Sequence, residues 1–221
     1  MIKIEKIDVF GWESAIRGMR NPMNSWDKSD TTFESACALF EYRCGWECTI
    51  GPNDLSLMKK LVKAGSDHSK FMRMINVTCD ITAPLYWWKE YDTYKVGTVA
   101  NSCSTMHKIH DKEFTLDDFS HEHLSCDINA GIGVLYDVID ALNLNRAIYL
   151  KGKDKSFWWN MIQLLPTSYN QKRTVQLNYA VLRNMYHSRK NHKLDEWRNF
   201  CEWVETLPYA ELITDGGSND D

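Results

Sequence analysis

A long alternation of side chains in the middle of the chain constrains the fold most. From Phe71 to Ala83, apolar residues such as Val77 and Ile81 occupy one set of alternate positions. Successive side chains of a strand point to opposite faces, so this pattern predicts a β-strand. Pro84 follows, and it limits strand pairing because proline has no backbone N–H to donate. Residues 2–9 alternate in the same way and are expected to form another strand.

Helical spacing dominates the rest of the chain. The clearest helix runs from Asp54, interpreted as its capping residue, to Gly65. The aromatic stretch from Leu85 to Val99 is expected to be partly helical, whereas residues 18–32 and 108–128 are aperiodic and polar. Helical spacing returns in four later segments, at residues 131–143, 155–165, 175–189 and 193–206. Strands in the first half followed by long helices predict a mixed α+β fold.

Composition indicates one soluble domain. The chain has 221 residues, of which 43% are hydrophobic, enough for one substantial core. We place this domain at residues 1–212 and a disordered acidic tail at residues 213–221. The formal net charge of -4 provides no long-range attraction to a nucleic acid polymer or an anionic membrane. No apolar run approaches the roughly 20 residues of a spanning helix, and the amino end lacks a signal-peptide core. We therefore expect a cytoplasmic protein.

Cysteine and histidine spacing does not favour a metal site. The seven cysteines are an odd number without the spacing of a disulfide scaffold, which fits reduced thiols. Cys44 and Cys48 have no second close pair to complete a zinc site of the usual type. A polar stretch carries a denser group of candidate ligands, namely His107, His110, His121, His123 and Cys126. Because this group lacks standard ligand spacing, we predict no metal.

The stretch most informative about function lies near the carboxyl end. It reads LLPTSYNQKRTVQLNYAVLRNMYHSRKNH and contains Lys172, Asn178, Asn184 and Arg189. Its spacing resembles the C-terminal signature of the flavin-dependent thymidylate synthases, and two further segments resemble that family in the same order, together covering roughly residues 54–211. The resemblance implies that Lys172 contacts a nucleotide, that both asparagines contact FAD, and that Arg189 faces the pyrimidine edge. The alternative is a solvated helix face.

The first and central segments resemble the family with substitutions. Arg73 stands where members usually carry a histidine near the flavin, although an exposed arginine on a strand is the alternative. The central R-H-R motif is replaced by Thr93, Tyr94 and Lys95, in a register that is uncertain by one residue. The final arginine of the motif becomes Met106 or Thr105, and neither threonine nor methionine grips phosphate through paired hydrogen bonds as a guanidinium does. Phosphate would then depend on Lys95, on hydroxyls such as that of Ser102, or on helix amides.

The resemblance also supplies the remaining candidate site residues. Ser104, or Cys103 in the other register, falls where the family has a serine beside the pyrimidine ring. Cys103 could attack a pyrimidine as a thiolate if a cation such as Lys95 or His107 lowered its pKa. The alternative for Cys103 is a small buried hydrophobic residue. Glu90 joins Lys95, Ser102, Lys172 and Arg189 as substrate-binding candidates. Arg73, Tyr94, Asn178 and Asn184 are the cofactor-binding candidates.

As a whole, the resemblance implies an antiparallel-rich sheet with long helices and a homotetramer with composite sites. It implies reductive methylation of a deoxyuridylate-type pyrimidine nucleotide, with FAD as cofactor and NADPH and methylenetetrahydrofolate as co-substrates. The terminal segment matches the family's last helix, with an apolar stripe expected in the core or at a subunit interface: Leu194, Trp197, Cys201 and Val204. The alternative is a catalytically inactive module that keeps the fold and senses or sequesters a nucleotide.

Overall fold

A four-stranded antiparallel sheet organises the protein in this computed structural model, which describes residues 2–37 and 44–216. The strands are β1 (Lys3–Phe10), β2 (Thr32–Cys37), β3 (Cys44–Thr49), β4 (Asn76–Pro84), β5 (Thr98–Ser102) and β6 (Asn170–Asn178). The large sheet has the order β1-β4-β6-β5, with every neighbouring pair antiparallel, and β2 pairs with β3 as a separate hairpin. The sheet thus draws its strands from both ends of the chain.

Eight α-helices accompany the sheet in the described ranges. They are α1 (Trp12–Arg20), α2 (Pro52–Lys63), α3 (Leu85–Tyr91), α4 (Ile132–Gly152), α5 (Lys155–Leu164), α6 (Tyr179–Arg189), α7 (Asp195–Glu205) and α8 (Glu211–Thr214). Short 3-10 turns lie at Asn21–Met23, Trp26–Lys28, Lys70–Arg73 and Leu116–Asp118. The predicted α+β class, a single mixed domain with an antiparallel sheet and long helices, is confirmed. None of the described helices is both long and apolar enough to cross a membrane.

The predicted central strand is shorter than its alternation suggested. Phe71 and Met72 are 3% and 1% exposed, and two consecutive buried side chains do not fit a strand with one solvated face. They lie in a 3-10 turn, and β4 begins only at Asn76. From there the alternation holds, with Val77, Cys79, Ile81 and Ala83 all buried. Arg73 consequently lies on the turn and not on a strand.

The predicted helix at residues 175–189 is wrong at its start, because residues 175–178 complete β6. Val175 and Leu177 are buried while Thr174 and Gln176 are exposed, which is the two-residue period of a strand. Asn178 then ends the strand and caps α6, its side-chain Oδ1 accepting a hydrogen bond of 3.1 Å from the Val181 N–H.

Two apolar clusters support the sheet and the long helices. The larger cluster is rich in aromatic side chains, and Trp87, Trp88 and Trp197 are each 0% exposed within it. The predicted stripe of α7 is confirmed as core, since Trp197, Cys201 and Val204 are buried. A smaller cluster under α4 and α5 includes Leu142 and Met161. The residues expected near a ligand thus stand on elements anchored in the larger cluster.

A buried ion pair fixes the stretch predicted as an aperiodic surface loop at residues 18–32. The first part of that stretch belongs to α1, and Arg20 at its end is buried, its Nε donating to Asp54 Oδ1 at 2.7 Å. Ser29 and Thr31 donate hydroxyl hydrogen bonds to Asp54 Oδ2 at 2.7 and 2.6 Å. Asp54 is not the helix cap; α2 begins at Pro52, and Asp54 serves this buried network.

The carboxyl end of the domain extends further than predicted. Ile213 and Thr214 lie in α8, and Ile213 is 0% exposed, so the predicted disordered tail does not begin at residue 213. Burial of an apolar side chain stabilises such a short helix better than its own hydrogen bonds can. The rest of the predicted tail, residues 217–221, lies outside the described residues.

Candidate functional site

Three of the predicted site residues meet around one guanidinium. Arg189, the last residue of α6, donates from Nη1 to Glu90 Oε2 and from Nε to the Tyr94 hydroxyl, both at 2.8 Å. Its guanidinium also lies over two rings, 4.9 Å from the Trp197 ring centroid and 5.5 Å from that of Tyr94. We call Arg189, Glu90, Tyr94, Trp197 and His192 the Arg189 cluster.

One oxygen of Glu90 accepts two hydrogen bonds and lies near a third nitrogen. Besides Arg189, Trp197 Nε1 donates to Glu90 Oε2 at 3.0 Å, and His192 Nε2 lies 3.4 Å away. His192 Nδ1 accepts from the Leu194 N–H, which leaves Nε2 as the ring nitrogen that carries the proton. These contacts orient Glu90 and Arg189 before any ligand arrives, the condition for precise recognition of a planar group.

The Arg189 cluster is partly open to solvent. The side chains of Arg189, His192 and Glu90 are 20%, 23% and 34% exposed. Arg189 uses Nε and Nη1 for the contacts above, so Nη2 remains for a ligand acceptor. An arginine next to a carboxylate presents a donor beside an acceptor, and the edge of a pyrimidine base has the complementary groups.

Two predicted flavin contacts line a second site, a cavity of about 510 Å³. Arg73 reaches it from the Lys70–Arg73 turn and Asn184 from α6. The same helix contributes Arg183 and His187, and Lys190 follows its last residue; helical geometry places all three positions on one side. Sequence reasoning missed these three residues, although their spacing from Asn184 was a usable signal. We call this space the α6 cavity.

Charge in the α6 cavity is positive. Arg73, Arg183 and Lys190 line it, and no carboxylate is among its lining residues. Arg183 Nη1 donates to the carbonyls of Leu212, Ile213 and Asp215 at 3.3, 3.0 and 2.8 Å, which fixes the guanidinium against the end of α8. Burial lowers the pKa of Arg183, and the Asp215 carboxylate opposes that shift.

His187 adds an unpaired polar atom to the α6 cavity. Its Nε2 is buried and has no hydrogen-bond partner among the described residues. Burial lowers the pKa of His187 below its usual value, and the charges of Arg183 and Lys190 lower it further, while a hydrogen bond to the Ile213 carbonyl acts in the opposite direction. His187 is therefore neutral at pH 7.

Asn178, which the resemblance implies as a flavin contact, also caps α6. Its Oδ1 caps α6, so only Nδ2 remains to contact a ligand. Gly97 approaches the same side chain: a Cβ at Gly97 would lie 3.0 Å from Asn178 Nδ2 and 2.9 Å from Val181 Cγ2. With a φ of +82°, Gly97 is also in a backbone region that favours glycine. The turn between α3 and β5 therefore packs closely on the cap.

The remaining predicted residues lie around the end of β5. Cys103 is exposed, so its alternative interpretation as a buried hydrophobic residue is wrong. Its backbone N–H donates to the Lys172 carbonyl at 2.9 Å. Lys172 Nζ lies 3.0 Å from Asp80 Oδ2, and the pKa of Lys172 is raised by that hydrogen bond and, among weaker influences, by Cys103. Lys172, a cation that the sequence did not suggest for this role, thus interacts electrostatically with Cys103.

Ser102 and Ser104 flank Cys103 at the exposed end of the strand. Ser102 pairs with Arg173 across the sheet. Ser104 Oγ accepts from the Met106 and His107 N–H groups at 3.2 and 2.9 Å, which closes a turn and leaves its hydroxyl proton to donate. Lys95 is exposed on the preceding turn and forms no ion pair in the described chain. Ser102 and Lys172 thus lie on paired strands, whereas Lys95 forms no ion pair or hydrogen bond with either of them in the described chain.

The histidine group considered as a metal site is dispersed. His121 Nδ1 contacts the Phe119 carbonyl at 2.8 Å, His123 Nε2 lies 2.7 Å from Asp195 Oδ2, and His110 packs on Tyr149. In the part of the chain that the structure describes, no three His, Cys, Asp or Glu side chains form a group able to hold a metal ion.

Comparison with known proteins identifies the fold. No protein-family model and no curated protein sequence matches the chain. Two crystal structures of thymidylate synthase X from Helicobacter pylori with FAD and dUMP are similar, both with a TM-score of 0.68 and 15% identity; the first covers 97% of this chain and 98% of that one. The UMP/dUMP methylase PolB from Streptomyces cacaoi, bound with 5-Br dUMP, has a TM-score of 0.56 and 13% identity over 93% of this chain and 89% of that one. At these identities the likeness shows the fold alone.

Proposed function

We propose that the protein catalyses reductive methylation of a deoxyuridylate-type pyrimidine nucleotide, using FAD with NADPH and methylenetetrahydrofolate as co-substrates. One observation carries the proposal: Arg73 and Asn184, two flavin contacts implied by the sequence resemblance and distant in sequence, line the same α6 cavity. The similar folds were crystallised with FAD and dUMP, which is a second support. A ligand cavity of this kind usually has 300 to 1,000 Å³, and the α6 cavity of about 510 Å³ falls in that range.

Each residue of the site has a proposed task. Arg73, Tyr94, Asn178 and Asn184 would hold FAD, which supplies the hydride chemistry when bound. Arg189 would orient the base, held in place by Glu90 and Trp197. Lys95, Ser102 and Lys172 would meet anionic groups, and Ser104 or Cys103 would border the reacting ring. The protein contributes mainly placement, since the cofactor provides the chemistry.

One observation favours the alternative, a nucleotide-binding module without turnover. With Thr93, Tyr94 and Lys95 under R-H-R, this chain has Thr93 and Lys95 where the family has its arginine pair, and Tyr94 accepts a hydrogen bond from Arg189. Lys172 is already paired with Asp80 at 3.0 Å. A site that binds the nucleotide without positioning its pyrimidine ring for reaction would keep affinity and lose rate, because only interactions that are stronger in the transition state accelerate a reaction.

Flavin loading is the first test of the proposal. Purified protein incubated with FAD and freed of excess should retain a yellow chromophore with a band at about 450 nm, as expected of this cofactor class. Denaturation followed by chromatography should release intact FAD. A protein that stays colourless contradicts the proposal. If FAD is retained, incubation with dUMP, NADPH and methylenetetrahydrofolate separates the two functions, since the binding module forms no thymidylate.

Replacing Arg189 with alanine should weaken nucleotide binding. A hydrogen bond to a charged group is worth about 1.5 to 3 kcal/mol, so we expect dUMP affinity to fall roughly ten- to a hundredfold in calorimetric titration. Arg189→Lys should recover only part of the loss, because lysine cannot reproduce the planar fork. Arg17→Ala is the matched control, since the Arg17 side chain is 66% exposed at the end of α1. Unchanged affinity in Arg189→Ala would remove Arg189 from the site.

The proposed assembly is a homotetramer. Large apolar side chains on α4 and α5 are exposed in the single chain: Leu144 is 62% exposed, Tyr136 50%, Trp159 49% and Leu164 52%. Such a concentration of exposed apolar surface marks an interaction face. Sedimentation equilibrium measures the assembly directly, and a protein that stays monomeric at micromolar concentration contradicts this part of the proposal.

A further inference from the structure

The α6 cavity concentrates positive charge that the protein does not neutralise. Arg73 and Lys190 are exposed side chains without an ion pair in the described chain, although the whole chain carries a formal net charge of -4. They approach from two walls, Arg73 from the turn before β4 and Lys190 from the residue that follows α6. Like charges that share a cavity repel one another, and a bound anion relieves that repulsion.

Arg183 adds a third cation in a fixed orientation. Three backbone carbonyls hold its Nη1, so the guanidinium does not have to be ordered when a ligand binds. The carboxylate that acts on the pKa of Arg183 is that of Asp215, which is not among the residues lining the α6 cavity. Two serine hydroxyls, of Ser66 and Ser69, and the buried Nε2 of His187 complete the polar lining. The cations and hydroxyls suit an oxyanion, whereas Nε2 of the neutral His187 is an acceptor, because the other ring nitrogen donates to the Ile213 carbonyl, and it suits a donor on the organic body that carries the oxyanion.

The residues that the sequence predicts to hold phosphate are less suitably placed for this task than the cations of the α6 cavity. Lys172 is committed to Asp80, and Lys95 stands alone on an exposed turn. The central segment lacks the paired guanidinium groups that its family counterpart would supply. The chain nevertheless presents two guanidinium groups and an ammonium around the α6 cavity.

We infer that the α6 cavity binds the phosphate groups of the nucleotide ligand, through Arg73, Arg183 and Lys190, in place of the central segment. This inference rests on the proposed function for the identity of the ligand. The phosphates could belong to the flavin nucleotide or to the pyrimidine nucleotide. The experiment therefore compares each nucleotide with its phosphate-free counterpart.

The test is a double variant, Arg73→Gln with Lys190→Gln. Both side chains are exposed, so the protein should fold as the wild type does; Arg183 is left in place because it fixes the end of α8. Calorimetric titrations with FAD, riboflavin, dUMP and deoxyuridine are run at one ionic strength. We expect at least about a tenfold loss of affinity for one phosphate-bearing ligand, without a change for its phosphate-free counterpart. The pair that responds identifies the source of the phosphate.

Lys95→Gln is the competing variant, since it removes one exposed cation from the segment that the sequence favoured, and Lys151→Gln, an exposed lysine at the end of α4, is the matched control. Selective loss of phosphate-dependent affinity in Lys95→Gln and not in the double variant overturns the inference while the proposed function stands. Equal losses for ligands with and without phosphate in the double variant also overturn it.

If wild-type protein binds neither FAD nor dUMP, the proposed function fails. Titration with inorganic pyrophosphate then tests whether the α6 cavity is an anion site. Binding to the wild type that disappears in the double variant preserves the anion site. Absence of pyrophosphate binding to the wild type overturns the inference as well.

Discussion

Replacing Asp54 with asparagine should lower the free energy of unfolding by about 3 to 5 kcal/mol. Asp54 and Arg20 are 0% and 4% exposed, and asparagine would leave the Arg20 guanidinium buried without a countercharge. The substitution is nearly isosteric, so no cavity contributes to the loss. Ser29 and Thr31 would also lose an anionic acceptor, and the segment that they anchor before β2 should loosen.

Urea denaturation monitored by tryptophan fluorescence measures this loss as a lower midpoint at an unchanged slope. The control is Glu211→Gln, which breaks the exposed pair with Lys59, whose two side chains are 39% and 36% exposed. Exposed pairs contribute about 0 to 1 kcal/mol. A comparable loss in both variants would show that burial does not set the value of the Arg20–Asp54 pair.

The Asp54 carboxylate also makes the free energy of unfolding depend on pH. Burial alone raises the pKa of Asp54, but hydrogen bonds from Thr31, Ser29 and Arg20 outweigh burial and hold the pKa below its usual value. A lowered folded pKa gives stability that is complete above the unfolded value of about 3.9 and is lost as pH falls through the folded pKa. Such carboxylates become protonated between about pH 5 and pH 2. Over this range the free energy of unfolding of the wild type should fall more than that of Asp54→Asn.

Replacing Trp197 with alanine should have a second large effect, on the fold and on the site together. Trp197 is 0% exposed, and its ring centroid lies 4.8 Å from that of Trp87 and 5.6 Å from that of Phe200. Removing a buried tryptophan costs about 3 to 5 kcal/mol. The variant would also release Glu90 from one donor and remove a ring under Arg189, so nucleotide affinity should fall even in the folded fraction.

Trp159→Ala is the control for Trp197→Ala, because the same residue type is 49% exposed there and its loss should cost about 1 kcal/mol or less in the monomer. Trp197→Phe keeps a smaller aromatic ring in the core and removes the Nε1 hydrogen bond to Glu90, so it should cost less stability than Trp197→Ala while it still releases Glu90. Equal urea midpoints for the alanine variants at 197 and 159 would contradict the role of Trp197 in the core.

Local patterns predicted the elements that repeat regularly. The alternation through Val77 and Ile81 and the stripe of Trp197, Cys201 and Val204 both appear in the structure, because each side chain is placed by the period of its own strand or helix. Boundaries were less predictable. Asn178 could be read as a helix residue or as a cap, and its pairing with Asn76 across the sheet decided for strand and cap.

For the candidate site, single residues could be selected from the sequence, whereas their contacts could not. The resemblance selected Glu90, Tyr94 and Arg189 separately, and the fold brings them into contact. It also selected Lys172 as a nucleotide contact, and the structure pairs Lys172 with Asp80 on the neighbouring strand. A cross-strand partner depends on which strands pair and in what register, and neither can be read from one strand's own sequence.

The sequence by itself determined the α+β class, the first and central strands and most of the helices, and its family resemblance proposed residues for a flavin and a base. Only the tertiary structure decided that Asp54 neutralises Arg20, that Glu90 holds Arg189, and that three cations share one cavity. Secondary structure follows from neighbours along the chain, where periodicity is visible. Electrostatic pairing follows from neighbours in space, because Coulomb energy depends on distance and burial and not on sequence separation.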